Sequence, residues 1–269
     1  MPEYPEIHSR AREMKLALVT RSFTNIEVVQ PRCLNLPKTR FIHELVGAKV
    51  LDVGHKGKWL MVETTKGWLL LNLGMGGELL LVTRATLPKK YRLLFDLDDG
   101  SCFAVNFWWF GYAHYVAMGE LDRHEMTARL GPNALPITVE DLGRMISGRR
   151  GGVKSFLIDQ SNIAGIGNAY VHDILFLARL HPLRTLDTLS TEDVTRLAEA
   201  IHKGLQPSAD KGGAFYEVNI HGQGGGFTGD DILIGYKEGK DCPNCGTKIE
   251  KIKTGGTSSF ICPQCQKLS

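Results

Sequence analysis

The chain closes with the stretch Cys242-Pro243-Asn244-Cys245, which is followed after 16 residues by Cys262-Pro263-Gln264-Cys265. This spacing is typical of a zinc ribbon, in which four thiolates complete a tetrahedral shell, and it favours zinc over unliganded thiols. Four protein ligands leave no position for water or substrate, so one structural Zn²⁺ is predicted. A unit of about thirty residues cannot build a sufficient core, and the metal would supply the missing folding free energy.

Composition indicates a globular protein. The chain has 269 residues, is 43% hydrophobic and carries a formal net charge of +3, so charge alone does not indicate a polyanionic partner. The basic residues are clustered, however: residues 144–154 contain four cations and no acid, and six lysines occur from Lys237 onward. Each cluster is either a solvated face or a binding surface.

The N-terminal segment does not resemble a signal peptide, because charged residues such as Arg10 and Glu13 interrupt it. The sequence also lacks an apolar window long enough to span a bilayer. We therefore expect a cytoplasmic protein without a membrane partner. In that compartment disulfides are not expected, and Cys33 and Cys102 are predicted to be inert thiols.

The first half of the chain predicts one amphipathic helix followed by strands. Ile7, Ala11, Met14 and Leu18 recur at helical spacing, which indicates a helix over residues 5–19. Short apolar segments separated by turns then indicate a β-sandwich or barrel. These predicted strands are residues 49–53, 59–64, 68–73, 78–82, 92–97 and 101–105.

The second half is predicted to be helical. Gly131-Pro132-Asn133 marks the domain boundary, and helices are predicted over residues 139–147, 153–159, 169–180 and 191–205. Ser190 and Asp193 form a capping-box pattern at the start of the last helix. Residues 209–235 are rich in glycine and are either a functional lid or disordered.

The N-terminal sequence Met1-Pro2-Glu3 suggests covalent chemistry. Removal of the initiator Met would leave the secondary amine of Pro2 beside a carboxylate, and such an amine can attack an electrophilic sugar carbon to form an iminium. The alternative is that Pro2 merely starts a helix. Similarly, the turn from Ile163 to Asn168 precedes a predicted helix and either binds phosphate through its N–H groups or binds nothing.

Several short motifs together resemble, in order and spacing, the formamidopyrimidine-DNA glycosylase/endonuclease VIII family of base-excision repair enzymes, and the resemblance covers essentially the whole chain. The motifs are Pro2-Glu3-Tyr4-Pro5-Glu6, Gly57-Lys58-Trp59-Leu60, Asn72-Leu73-Gly74-Met75-Gly76-Gly77, Phe110-Gly111, Gly131-Pro132, Gly165-Ile166-Gly167-Asn168 and the four cysteines.

The resemblance implies an α+β fold of three parts. Residues 1–131 would form an N-terminal β-sandwich catalytic domain with flanking helices. Residues 132–236 would form a helical helix–two-turns–helix DNA-binding domain that includes the glycine-rich lesion loop, and residues 237–269 a zinc-ribbon hairpin. DNA would lie in the cleft between the lobes, with the damaged nucleotide rotated out of the stack.

The resemblance also implies catalytic roles. Pro2 would attack the sugar C1′, Glu3 would protonate the sugar ring or the leaving group, and the iminium would permit β- and δ-elimination of the flanking phosphates. Lys58 would contact phosphate near the lesion and assist the chemistry. The alternatives are that Glu3 only favours the positive end of the first helix and that Lys58 is an exposed strand lysine.

DNA contacts are implied as well. Asn168 would clamp the phosphate backbone, Met75 would fill the space of the flipped nucleotide, and Phe110 would be its partner wedge. An isolated Met or Phe is otherwise more often a core residue. Glu6 also falls on the family motif and would support the chain terminus. The complete set predicted to bind DNA is Glu6, Met75, Trp108, Phe110, Lys154, Asn168 and Thr257.

Two positions depart from the family. Many members carry Asp-Pro-Arg-Arg-Phe-Gly, where an arginine reads the base opposite the lesion, but this chain has Asn106-Phe107-Trp108-Trp109-Phe110-Gly111. An indole at Trp108 removes those hydrogen-bond donors and adds a stacking surface. Thr257 stands where the family has a phosphate-clamping arginine in the zinc hairpin, and it brings one neutral hydroxyl.

Three functions are compatible with these features. The first is a bifunctional DNA glycosylase and lyase of abasic sites, and the second is a noncatalytic paralogue that binds damaged DNA. Retention of Pro2, Glu3 and Lys58 favours the enzyme, because a binder has no chemical use for a free terminal amine. The third, a zinc-ribbon protein that binds another protein, does not explain Asn168 or the wedge residues.

We expect a monomer that binds double-stranded damaged DNA and is nucleoid-associated through this binding. Binding to single-stranded DNA is left open.

Overall fold

The computed structural model describes residues 1–108 and 110–268, so Trp109 of the tryptophan pair lies outside the described residues. The N-terminal part contains two four-stranded antiparallel sheets, with strand orders β1-β6-β7-β5 and β2-β3-β4-β8. The strands are β1 (Phe23–Val28), β2 (Val50–Lys56), β3 (Trp59–Thr64), β4 (Gly67–Asn72), β5 (Glu78–Thr83), β6 (Leu93–Leu97), β7 (Ser101–Asn106) and β8 (Tyr112–Val116). The predicted sandwich is confirmed.

Two helices, α1 (Tyr4–Leu18) and α2 (Lys38–Leu45), flank these sheets. The apolar stripe of α1 is buried as its spacing predicted: Ile7, Ala11, Met14 and Leu18 are at most 3% exposed and belong to the core between the sheets. Burial of this stripe fixes the position of the chain's first residues, because they lead directly into α1.

The helical part has its own apolar core, which includes Leu157, Ile174, Leu197 and Ile201. The helices are α3 (Glu125–Ala128), α4 (Val139–Ile146), α5 (Val153–Ile158), α6 (Val171–Leu177) and α7 (Thr191–Asp210). The predicted capping box at Ser190 is present at the start of α7. Among the described residues there is no helix long and apolar enough to cross a membrane.

The C-terminal hairpin consists of β9 (Glu250–Thr254) and β10 (Thr257–Ile261). It packs against α6 through a small apolar cluster that contains Phe176, Ile234 and Phe260. Asp173 on α6 also fixes the segment leading into the hairpin, because its carboxylate accepts hydrogen bonds of 2.8–2.9 Å from three successive N–H groups at residues 233–235. The hairpin is therefore attached to the helical part at two points.

The structure corrects several predicted elements. Strands β1 and β8 and helix α2 were not predicted; β1 contains a register shift between Phe23 and Asn25 that interrupts its alternation. The helix predicted over residues 169–180 covers only Val171–Leu177. In contrast, α7 continues past its predicted end at residue 205 and contains Pro207 in its last turn. The boundaries proposed between the three domains remain predictions.

Candidate active site

The turn that precedes α6 wraps around the carboxylate of Glu3. The backbone N–H of Gly167 donates to Glu3 Oε2 at 2.7 Å, and the N–H of Ala169 donates to Oε1 at 2.9 Å. Of the two alternatives stated for this turn, phosphate or no ligand, neither describes these two N–H groups, because they bind a carboxylate; α6 itself begins only at Val171. The turn holds an acid of the protein itself.

Lys58 lies beside the same carboxylate, on the turn between β2 and β3. A Cβ atom placed on Gly167 would lie 2.2 Å from Glu3 Oε1 and 2.4 Å from Lys58 Nζ, so both side chains occupy the space that a glycine leaves open. Glu3 is only 4% exposed. Its burial raises its pKa, against the charge of Lys58 and the N–H of Ala169, which lower it. This environment favours a carboxyl group that holds a proton.

Glu6 is buried, which corrects its predicted DNA contact. It is 2% exposed, and its carboxylate accepts hydrogen bonds from the N–H of Glu3 at 2.8 Å, the hydroxyl of Tyr170 at 2.5 Å and the N–H of Ala214 at 3.0 Å. A buried carboxylate with three internal donors is not available to a phosphate. Through these hydrogen bonds Glu6 instead connects α1 with the residue before α6 and with the glycine-rich segment, next to the chain terminus.

Glu3 and Lys58 face a cavity of about 590 Å³. Its lining includes Met1, Glu3, Lys58, Met75, Asn168, Tyr216 and Tyr236. Pro2, which lies between Met1 and Glu3 in the chain, is buried. The amide nitrogen of Asn168 lies 3.5 Å from the Tyr236 hydroxyl, and its Oδ1 is buried with no hydrogen-bond partner among the described residues. An unpaired buried amide oxygen is rare, and this one is suited to a ligand that donates a hydrogen bond.

Sequence patterns did not identify Tyr216 and Tyr236 as part of this cavity. Both rings are more than half exposed, at 54% and 58%. They flank the cavity from the glycine-rich segment and from the residue after it, where no periodicity indicates which side chains point inward. One sequence feature could have indicated them: aromatic side chains in an otherwise polar, glycine-rich stretch, because exposed rings offer stacking surfaces.

Met75, Trp108 and Phe110 form an exposed apolar group near the cavity, at 50%, 70% and 59% exposure. Glycines allow the loop that carries Met75 to lie close to the loop that carries Trp108 and Phe110. A Cβ on Gly74 would lie 1.0 Å from the carbonyl oxygen of Phe110, and one on Gly76 would lie 3.4 Å from the Trp108 ring. Both glycines have positive φ, at 58° and 65°. Exposed apolar side chains on tight turns are suitable wedges between stacked bases.

Lys154 is also buried, which corrects its predicted DNA contact. It is 2% exposed, and its Nζ donates to the hydroxyls of Thr254 at 3.2 Å and Thr257 at 3.0 Å and to the carbonyl of Ser258 at 2.7 Å. Burial lowers the pKa of Lys154 to about 8. All three ammonium donors thus hold the turn of the hairpin on α5. Thr257 remains exposed at that turn.

The four cysteines fit zinc. Their sulfur atoms lie within 4.8 Å of one another, with Cys242 and Cys265 at 3.8 Å and Cys245 and Cys262 at 3.4 Å. A tetrahedral shell with Zn–S bonds of about 2.3 Å places its sulfurs about 3.8 Å apart. The hairpin therefore holds one structural zinc, and its shell is complete without water or substrate.

Family models match three successive parts of the chain. They are the formamidopyrimidine-DNA glycosylase N-terminal domain over residues 1–106, the formamidopyrimidine-DNA glycosylase H2TH domain over residues 130–218, and the zinc finger found in FPG and IleRS over residues 239–268. Formamidopyrimidine-DNA glycosylase of Pelotomaculum thermopropionicum is 33% identical over 100% of both chains. The chain belongs to the formamidopyrimidine-DNA glycosylase family. The Gluconobacter oxydans member is 36% identical over 99% of this chain and 100% of its own.

Solved members of this glycosylase family have the same fold. The Lactococcus lactis Fpg in complex with DNA that contains an abasic site matches with a TM-score of 0.90 and 25% identity, over 98% of this chain and 99% of that one. MutM in complex with DNA that contains carbocyclic 8-oxo-G matches with a TM-score of 0.89 and 25% identity, over 99% and 100% of the two chains. The resemblance inferred from the motifs is confirmed.

Proposed function

We propose that this protein is a base-excision-repair DNA glycosylase that also cleaves abasic sites as a lyase, with Pro2 as nucleophile. One observation carries the proposal: a buried carboxyl group with a raised pKa, Glu3, lies next to Pro2 and Lys58 at the wall of one cavity. The complexes of solved family members with abasic and 8-oxo-G DNA support the choice of substrate class.

The first step requires a free amine at Pro2. While Met1 is attached, the Pro2 nitrogen is an amide and has no available lone pair, so Met1 must be removed. The amine then forms a bond to C1′ of the flipped nucleotide as the bond from C1′ to the base breaks. Glu3 supplies a proton to the departing base or to the sugar ring oxygen, and ring opening yields an iminium between Pro2 and C1′. The iminium acidifies the C2′ proton, which permits β-elimination and then δ-elimination of the flanking phosphates.

The remaining cavity residues are proposed to position the DNA. The cation of Lys58 and the amide donors of Asn168 suit phosphate oxygens on either side of the flipped nucleotide. Met75 and Phe110 suit the gap left in the stack, since apolar wedges keep the duplex kinked. Trp108 offers a flat ring to the opposite strand in place of an arginine's hydrogen-bond donors, so we propose that choice of the opposite base is weak.

A second candidate function is that of a noncatalytic protein that recognises damaged DNA. Trp108 favours it, because the ring is 70% exposed and binds bases by stacking without any chemistry. The buried Glu3 beside Pro2 favours the enzyme. Under either function we propose a cytoplasmic monomer that binds double-stranded damaged DNA, with binding to single-stranded DNA left open.

Excision and abasic-site cleavage, measured separately, test the proposal. Glu3→Gln should lose release of an oxidised base from duplex DNA, because no proton reaches the leaving group, and should retain more of its cleavage at a preformed abasic site. Glu140→Gln, an exposed position on α4, is the matched control and should change neither rate. Unmodified protein that binds damaged duplex DNA but neither releases a base nor cleaves an abasic site would support the noncatalytic function instead.

A further inference from the structure

The glycine-rich segment brings a second carboxyl group to the chain terminus. Oε1 of Glu217 lies 3.7 Å from the terminal nitrogen of Met1, and the Glu217 side chain is only 12% exposed. Met1 and the neighbouring Tyr216 both line the cavity described above. The carboxylate therefore faces the terminal nitrogen of the chain. Neither its role nor its position was indicated by sequence patterns.

Several hydrogen bonds fix Glu217 at this place. Its N–H donates to the carbonyl of Ala214 at 3.0 Å, and its carbonyl accepts from the N–H of Gly225 at 3.1 Å. The N–H of Ala214 in turn donates to the buried carboxylate of Glu6. Gly213 has a φ of 98°, and a Cβ there would lie 2.9 Å from the Glu6 side chain. The segment is thus built closely onto α1, next to Pro2.

The charged groups around Glu217 favour a carboxyl that exchanges a proton near neutral pH. Burial raises the pKa of Glu217 to about 7, and the charge of Glu6 adds to this, while the terminal amine and Arg10 lower it. The neighbouring Tyr216 responds to the same charges, because burial and the carboxylates of Glu6, Glu3 and Glu217 raise the pKa of its hydroxyl. An α-amino group ordinarily titrates near about pH 8, which is close enough for transfer between the two.

We propose that Glu217 is the base that removes the proton from the Pro2 ammonium before Pro2 attacks the sugar. This inference rests on the proposed function. One N–H bond of the ammonium breaks, an O–H bond forms on Glu217, and the nitrogen keeps the electron pair that then bonds to C1′. Once Met1 is removed, the charged terminus moves by one residue, to the nitrogen of Pro2, which lies in the chain between the two cavity-lining residues Met1 and Glu3.

The two carboxyl groups are proposed to have different roles because they have different neighbouring groups. Glu3 accepts hydrogen bonds from two backbone N–H groups and lies beside Lys58, so its position is fixed, and it is the group proposed to protonate the departing base or the sugar ring oxygen. Glu217 faces the terminal nitrogen of Met1, one residue before Pro2. A site that must both deprotonate its nucleophile and protonate its leaving group needs two such groups in different environments.

The rate of borohydride trapping as a function of pH tests this role. Full-length protein with Met1 removed, verified by intact mass, is mixed in excess with an abasic-site duplex from about pH 6 to about pH 9. Glu217→Gln should slow trapping about 100-fold near pH 7, the scale of general base catalysis, and the deficit should shrink as pH rises because the amine then loses its proton to solvent. Glu217→Asp should retain part of the rate. Asp230→Asn, exposed in the same segment, is the control.

Unchanged or faster trapping in Glu217→Gln would mean that Glu217 is not the base. If Glu217 only stabilises the ammonium electrostatically, its removal lowers the pKa of the amine, and Glu217→Gln traps as fast as or faster than the unmodified protein near pH 7, which overturns the role. Zinc content and affinity for a tetrahydrofuran-containing duplex should be unchanged in both Glu217 variants, which excludes misfolding as the cause of a slow rate. Absence of trapping in unmodified protein would overturn the proposed function together with this inference.

Discussion

The carboxylate of Glu3 accepts a 2.7 Å hydrogen bond from the backbone N–H of Gly167, across 164 positions of sequence. Glu3 is the residue before α1, which packs on the sandwich, whereas Gly167 lies in the turn before α6 of the helical part. The candidate active site is therefore assembled between the two parts. Its geometry depends on how closely that turn approaches the chain terminus.

Gly167→Ala should impair catalysis more than folding. The new Cβ would lie 2.2 Å from Glu3 Oε1 and 2.4 Å from Lys58 Nζ, so one or both groups must move. A displacement of about 1 Å at the reacting groups is expected to slow base excision about 100-fold. Gly143→Ala is the control, because a Cβ on this α4 glycine meets nothing within 4 Å and should stabilise the helix slightly. Full activity in Gly167→Ala would mean that base excision does not depend on the position of Glu3 against the turn at Gly167.

Motifs that are complete within a short stretch could be predicted from the sequence. The spacing of Cys242 and Cys245 with Cys262 and Cys265 specifies a tetrahedral shell without reference to the rest of the fold. The stripe from Ile7 to Leu18 specified a buried helix face for the same reason, since its period is local.

Burial and distant contacts could not be predicted in this way. Lys154 belongs to a basic run and was expected on the DNA surface, but packing of the hairpin against α5 places its ammonium under the turn. Glu6 was misassigned because its partners Tyr170 and Ala214 are far along the chain. Glu217 was overlooked because glycine-rich segments have no periodicity that distinguishes inward from outward side chains.

Trp108 should weaken discrimination among opposite bases. Rates of excision of one oxidised base placed opposite C, A, G and T should be similar, because an indole stacks on any base and lacks the paired donors of arginine. Trp108→Arg should create a preference for C, worth up to about 1–3 kcal/mol for a bidentate contact. Trp108→Phe keeps a stacking ring and should behave like the unmodified protein. A strong preference for C that disappears in Trp108→Ala would contradict this expectation.

Thr257→Arg should tighten DNA binding. The side chain is exposed at the hairpin turn, and a guanidinium there can engage a phosphate and release a counterion. The substitution also removes the hydroxyl that accepts a hydrogen bond from the buried Lys154, so Tm is measured together with affinity to separate this loss from the gain. We expect a gain of about 1–3 kcal/mol and a salt dependence steeper by about one phosphate contact. Affinity across a salt series measures both, with Leu16→Arg on the exposed side of α1 as a control for added charge. An unchanged slope would mean that position 257 does not face phosphate.

Loss of one cysteine should release the zinc. Cys262→Ser removes a ligand from a shell that the hairpin needs for folding, so bound zinc should fall below one equivalent, and DNA affinity and Tm should decrease with it. Elemental analysis and thermal unfolding measure these changes. Cys33→Ser alters a buried thiol outside the hairpin and should keep one equivalent of zinc. Normal folding and DNA affinity in Cys262→Ser would count against a structural role for the metal.

The central claim, that the amine of Pro2 is the nucleophile, is tested most directly by borohydride trapping on an abasic-site duplex followed by mapping of the modified peptide. Protein from which Met1 has been removed should form a covalent adduct on Pro2, since its nitrogen then has a free electron pair. A variant that retains Met1 should form no such adduct and should still bind the duplex. Equal trapping with Met1 retained, or an adduct mapped to Lys58, would show that the reactive amine lies elsewhere and would contradict the account.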